Sequence, residues 1–219
     1  METQKFKITD VLYGIVIPII LVLLIYVLAV YVNPSGEKHV FGVSGLTGTI
    51  AVILSSGFAQ MIVLGVPLVL GLLWNKWAGG AAGFIMGGMY YVGTAGLYTG
   101  YYAGSSPAYN FYGDISMLFY LVNAVIIGYI AGSLNNGSTN FKRMLGAGLT
   151  AAITTAIIQT YMNYNISLKP AQDMARNSWV TDPANAFIIA FVPSIALGVI
   201  VPIIGKVMTW YGLQPAKRY

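Results

Sequence analysis

The side chains with chemistry to offer are few, and most are neutral amides and phenols. Asn123, Gln159, Asn163 and Asn185 lie inside or at the edge of long apolar runs, with Ser116, Tyr120, Thr155 and Ser194 nearby in the same runs. An amide offers donors and an acceptor without carrying charge, so this set suits hydrogen bonding to a polar, neutral solute. Ser116, Tyr120 and Asn123 share one helical face at three- and four-residue steps. Thr155, Gln159 and Asn163 form a second stripe at four-residue steps. An unpaired amide in hydrocarbon is heavily penalised, so these groups must face protein or water. They either hold helices together by hydrogen bonds or line a pocket.

Asp114 is the acid closest to an apolar run. It stands at the start of a helical stretch, where the helix dipole stabilises its charge and an N-cap role is available. Seven of the sixteen tyrosines fall between Tyr90 and Tyr112. Tyrosine combines an apolar face with a hydroxyl, which fits an aromatic belt at a membrane interface and equally a lid over a ligand. The glycine-rich stretch 100–113 has the freedom to gate such a site, and the loop 33–43, with Glu37, Lys38 and His39, can close from the other side.

Catalytic signatures are absent. The chain has no nucleophile elbow, no His-Glu-x-x-His, no phosphate-binding glycine-lysine loop and no carboxylate pair within an apolar run. With no cysteine and the single histidine His39, neither thiolate chemistry nor a histidine-cysteine metal cluster is available. The expectation is a protein that is not an enzyme and needs no cofactor or metal.

These residues must be positioned by elements that live in lipid. Hydrophobic residues make up 57% of the 219 and charged residues only 8%, with a mean hydropathy of +0.73. A soluble domain carries about a quarter charged residues. The apolar stretches run on for about 20 residues without two-residue alternation, so they read as helices rather than barrel strands. The fold expected is an all-α integral membrane protein, one transmembrane domain covering 1–219. Its six spans fall at about 11–32, 44–74, 78–98, 115–134, 144–162 and 183–208. The first run is too long for a signal-peptide core and is read as a helix of the mature protein.

With the N-terminus inside, eight of the eleven lysines and arginines lie on the cytoplasmic side. They are Lys5, Lys7, Lys76, Lys142, Arg143, Lys206, Lys217 and Arg218, against Lys38, Lys169 and Arg176 outside. The positive-inside rule therefore predicts both termini in the cytoplasm, the membrane expected is the plasma membrane, and the scattered charge does not suggest nucleic-acid binding. In this orientation Asn123 lies nine residues below Asp114, roughly 13 Å along the helix. The amides then gather in the outer half of three successive helices, opening outward. The triplet Asn165-Ile166-Ser167 is a glycosylation sequon on that outer side.

Gly79, Gly83 and Gly87 form a ladder at four-residue steps, followed by Gly96, Gly100 and Gly104; Gly148, Ala152 and Ala156 make a similar smooth face. Small residues four apart let another backbone approach closely, either within the chain or on a second membrane subunit.

The layout resembles the substrate-binding S-components of energy-coupling factor vitamin transporters over most of the chain. The residues that carry the likeness are the run Gly79-Gly80-Ala81-Ala82-Gly83-Phe84-Ile85-Met86-Gly87-Gly88, the fourth-helix stretch from Tyr120 through Asn123 to Gly128 and Gly132, and Pro193 with Val201-Pro202-Ile203-Ile204 in the last helix. The resemblance implies a subunit that binds a vitamin or metabolite from outside. A separate membrane partner bearing cytoplasmic ATPases would power it. Such families often carry an Ala-x-x-x-Ala docking pair on the first helix, whereas here that helix is bulky at Leu21-Val22-Leu23-Leu24-Ile25. The candidate binding residues are Tyr112, Asp114, Tyr120, Asn123, Gln159, Asn163 and Asn185. The alternative is a non-catalytic accessory subunit of a membrane complex.

Overall fold

The structure, a computed structural model, describes residues 8–17, 19, 20, 23, 24, 59–101, 115–165 and 183–212. Among these residues there is no strand. A short helix α1 (Ile8–Val11) continues into a π-helical turn (Leu12–Val16). Five long helices follow: α2 (Ala59–Leu73), α3 (Lys76–Tyr101), α4 (Ile115–Asn135), α5 (Phe141–Asn165) and α6 (Pro183–Trp210). Three of them contain stretches long and apolar enough to cross a membrane, Leu118–Asn135, Phe141–Met162 and Phe191–Trp210, and Met61–Leu73 is a shorter apolar helix. Most of the first expected span and residues 44–58 of the second lie outside the described residues.

Side-chain chemistry at the junctions explains where the helices stop and start. After α2 the chain turns at Trp74, and Asn75 Oδ1 accepts the Ala78 backbone N–H at 2.8 Å, an N-cap for α3. α4 ends in Asn136 and Gly137, both left-handed at φ 48° and 67°. Glycine and asparagine are the residues that tolerate this conformation. The chain then reverses, and Asn140 Oδ1 accepts the Lys142 N–H at 3.0 Å to open α5. Pro67 in α2 and Pro193 and Pro202 in α6 sit inside helices, as membrane helices allow when neighbouring groups re-satisfy the backbone. The two tight connections make α2 to α3 and α4 to α5 antiparallel pairs. They share one end of the bundle with the last turns of α6, where Lys206 Nζ donates to Thr139 O at 3.1 Å.

α4 is central, touching α3, α2 and α5. α6 lies on α5 and α2, and the N-terminal segment rests on α3. The most extensive contacts join α3 to α4 and α5 to α6. The core interleaves buried glycines and alanines with larger apolar side chains. Leu68, Leu72, Ile127, Ala131, Ala147, Ala151, Ala152, Leu197 and Val201 form the main cluster, and Val63, Met86 and Ala124 a second. Large apolar side chains point outward along the same helices, among them Phe84, Val92, Ile157, Val192 and Ile200. Small inside and large apolar outside is the pattern of a bundle solvated by lipid, where close backbone approach rather than water exclusion draws helices together.

The glycine ladder lies against α4. A Cβ on Gly83 would overlap the Ala124 carbonyl, and one on Gly87 would come within 2.7 Å of Leu121 Cα. The second smooth face is also occupied within the chain, since a Cβ on Gly148 would lie 2.7 Å from the Pro202 ring of α6, and one on Gly198 would lie 3.0 Å from Ala152 Cβ. These described small-residue faces are therefore internal seams and leave no surface there for a second subunit; Gly96, Gly100 and Gly104 fall outside the residues whose surroundings are described.

Candidate functional site

Asn123 lies on the side of α4 that meets α5, while its neighbour Ala124 meets α3. The burial of Asn123 is nearly complete, at 2% exposure. Its Nδ2 donates to Gln159 Oε1 on α5 at 2.5 Å. Two of the amides that the sequence placed in the outer half of successive helices are thus joined. The Asn123 carbonyl oxygen, Oδ1, is buried with no hydrogen-bond partner. A buried amide oxygen left unmatched costs about 1–3 kcal/mol, and nearly all such groups in folded proteins are satisfied by protein, water or ligand. Chemically, this atom is an acceptor waiting for an N–H or O–H.

One turn before Asn123, Tyr120 is half-buried with its ring edge-on to Tyr90 of α3, centroids 5.6 Å apart and planes at 65°. The Tyr120 ring thus meets α3, whereas Asn123 one turn on meets α5. Gln159 and Tyr120 are each half-buried. The described charged side chains are Lys76, Lys142, Arg143 and Lys206, and all lie toward the other end of the bundle. Among the described residues, then, the surroundings of Asn123 offer hydrogen bonds and aromatic surface but no formal charge.

The polar stripe expected on α5 is narrower than its spacing suggests. Thr155 is buried, but its hydroxyl donates to the carbonyls of Ala151 and Ala152 in its own helix, at 3.1 and 2.9 Å. Thr150, Thr154 and Thr160 turn back in the same way, each onto the carbonyl four residues earlier. A threonine folded onto its own backbone presents a methyl group to its neighbours and its hydroxyl donor is used locally. Among the described side chains of the stripe, Gln159 is the one that bonds to another helix. Ser194 on α6 is buried at 8% exposure.

Asn163 and Asn185 lie within α5 and α6, but their side chains fall outside the described residues, as does the side chain of Ser116. Tyr112 and Asp114, the glycine-rich stretch beyond Tyr101 and the loop 33–43 are outside them altogether. Asn165, the sequon asparagine, is exposed at the end of α5 and its Nδ2 donates to Tyr161 O at 3.1 Å.

One polar residue was not singled out by spacing. Asn135 is fully buried and its Nδ2 bridges Leu72 O at 2.6 Å and Ser138 O at 2.9 Å. It ties the last turn of α2 to the α4–α5 turn. An asparagine directly before an Asn-Gly reversal, at the end of an apolar helix, is the signal that marks it.

Comparison with protein-family models, with curated proteins and with solved structures finds no match for this chain.

Proposed function

We propose that this chain is the small-solute binding subunit of a membrane importer, taking a neutral vitamin or metabolite from outside into a site at Asn123, Gln159 and Tyr120. The observation that carries the reading is the Asn123 amide, buried and cross-linked to Gln159 yet with its acceptor oxygen unmatched. A ligand N–H or O–H would complete it, with the Tyr90–Tyr120 pair supplying flat aromatic surface. Asp114, Tyr112, Asn163 and Asn185 are the further contacts proposed at its outer mouth. Both termini lie in the cytoplasm, the membrane is the plasma membrane, and import is driven by a separate subunit carrying cytoplasmic ATPases.

The test is thermal unfolding of the purified full-length protein against a library of neutral vitamins and metabolites. At least one compound should raise the melting temperature, and Asn123→Ala should remove that response while the unliganded protein still unfolds cooperatively. Interhelical hydrogen bonds in membranes are worth about 0.6 kcal/mol on average, so the variant is expected to remain folded. A library without any stabilising compound would favour the second reading, an accessory subunit in which Asn123 and Gln159 serve only to pair α4 with α5. The direct bond between the two amides is the observation that supports this alternative. Co-purification of cytoplasmic ATPases with the natively expressed protein separates an importer from other binding proteins.

A further inference from the structure

The four described charged side chains, Lys76, Lys142, Arg143 and Lys206, are all basic, and they come together from three parts of the chain. Lys76 opens α3 with its backbone so close to Gly132 in the last turn of α4 that a Cβ on that glycine would overlap it. Arg143, in the first turn of α5, donates from Nε to Leu134 O at 3.0 Å. Lys206 reaches from α6 to Thr139 O in the α4–α5 turn. Lys142 stands exposed beside Arg143.

Helix dipoles do not neutralise this end. Three helix C-termini (α2, α4 and α6) and two N-termini (α3 and α5) meet there, each worth roughly half an elementary charge, which leaves only about −0.5 against four whole positive charges. Nor does the neighbouring sequence supply an acid: residues 38–113, 115–172 and 183–219 contain no Asp or Glu. The termini expected on the same side add Glu2 and Asp10 but also Lys5, Lys7, Lys217 and Arg218, so the excess positive charge calls for an anion from outside the chain.

The aromatic surroundings indicate what kind of anion. Trp77 and Trp210 are 69% and 73% exposed, although each is a large ring. The Lys76 ammonium lies 5.5 Å from the Trp77 ring centroid and 5.8 Å from that of Tyr129, and the two rings meet edge-on at 5.8 Å. Exposed indoles beside lysines, next to outward apolar side chains such as Ile203 and Ile204, mark the headgroup level of a bilayer. We propose that this end of the bundle holds the phosphate of an anionic phospholipid. Lys76 contacts it from the Trp77–Tyr129 side, and Lys142 with the terminal guanidinium nitrogens of Arg143 contacts it from the α4–α5 side. A cluster of lysine and arginine side chains directly beside the ends of membrane helices is a setting in which anionic lipids are bound.

The experiment follows thermal unfolding of the full-length protein in neutral detergent micelles doped with phosphatidylglycerol, with phosphatidylcholine, or with inorganic phosphate in the buffer. Phosphatidylglycerol should raise the melting temperature where phosphatidylcholine does not, and the gain should shrink as salt is added. Lys76→Gln and Lys142→Gln should each weaken the apparent lipid affinity, and together by about tenfold or more. Arg143→Lys keeps a cation but loses the planar fork, so it should lower the preference for phosphate while the protein still folds. Equal stabilisation by the two lipids would overturn the proposal, as would a phosphatidylglycerol preference that survives Lys76→Gln with Lys142→Gln. Inorganic phosphate protecting as well as the lipid would also overturn it, pointing to a soluble anion.

Discussion

Two buried asparagines, Asn123 and Asn135, each keep one amide oxygen without a partner, and they differ in what the amide nitrogen does. In Asn135 it ties backbone to backbone, across Leu72 and Ser138, so its role is architectural. Asn135→Ala strands the Leu72 carbonyl and should destabilise the protein by about 1–3 kcal/mol, read as a lower melting temperature in detergent. Ligand responses centred on Asn123 should be left in place by that change. Asn123→Leu, by contrast, removes the donor to Gln159 Oε1, and a further Gln159→Leu should recover part of the loss, because replacing both members of the pair by apolar groups is nearly neutral. A double variant less stable than the sum of the two singles would argue against a direct pair. The need of Asn123 and Gln159 for partners was legible in advance, since an unpaired amide in hydrocarbon is heavily penalised, although spacing did not name the pair. The fate of Thr155 was not, because whether a hydroxyl turns to its own helix or to a neighbour is a rotamer choice that spacing does not reveal.

Among the elements, the α3–α4 pair is defined by what it lacks. Its two helices approach so closely that a Cβ on Gly79 would come within 2.5 Å of Gly128 O. Gly80, one residue on, looks sideways, and a Cβ there would meet only Tyr129 at 3.8 Å. Gly83→Ala should therefore separate the helices and cost about 1–3 kcal/mol, while Gly80→Ala should be neutral or slightly favourable. Thermal unfolding of the two variants side by side is the check, and equal effects would rule out this seam. The sequence ladder announced that a backbone would come close, but four-residue spacing marks a groove without naming what fills it. That α4 fills it follows from α4 bringing Gly128, Gly132 and Ala124 to the same side, small residues meeting small residues.

For the molecule as a whole, orientation is the property on which every functional assignment depends. The absence of cysteine makes it directly measurable, because each single-cysteine variant carries the only thiol in the chain. Cysteines placed at Asn75 or Asn136, at the basic end, should react with a membrane-impermeant maleimide only after the cells are opened. Labelling of intact cells at either position would invert the bundle and place the Asn123 site on the cytoplasmic side. Composition pointed to lipid, and the long apolar runs without alternation pointed to helices. The number of crossings was less evident, since a long apolar stretch such as 44–74 has no internal punctuation strong enough to say where the lipid-embedded part begins. The packing pattern also has a mechanical meaning. Glycine against carbonyl leaves α3 and α4 no side-chain cushion to deform, and the Pro202–Gly148 contact does the same for α5 and α6. Compliance is then concentrated where α4 meets α5, and a spin-label pair spanning that boundary should report a broader distance distribution than one spanning either glycine seam. The Asn123–Gln159 bond lies on that boundary like a latch between two stiff plates.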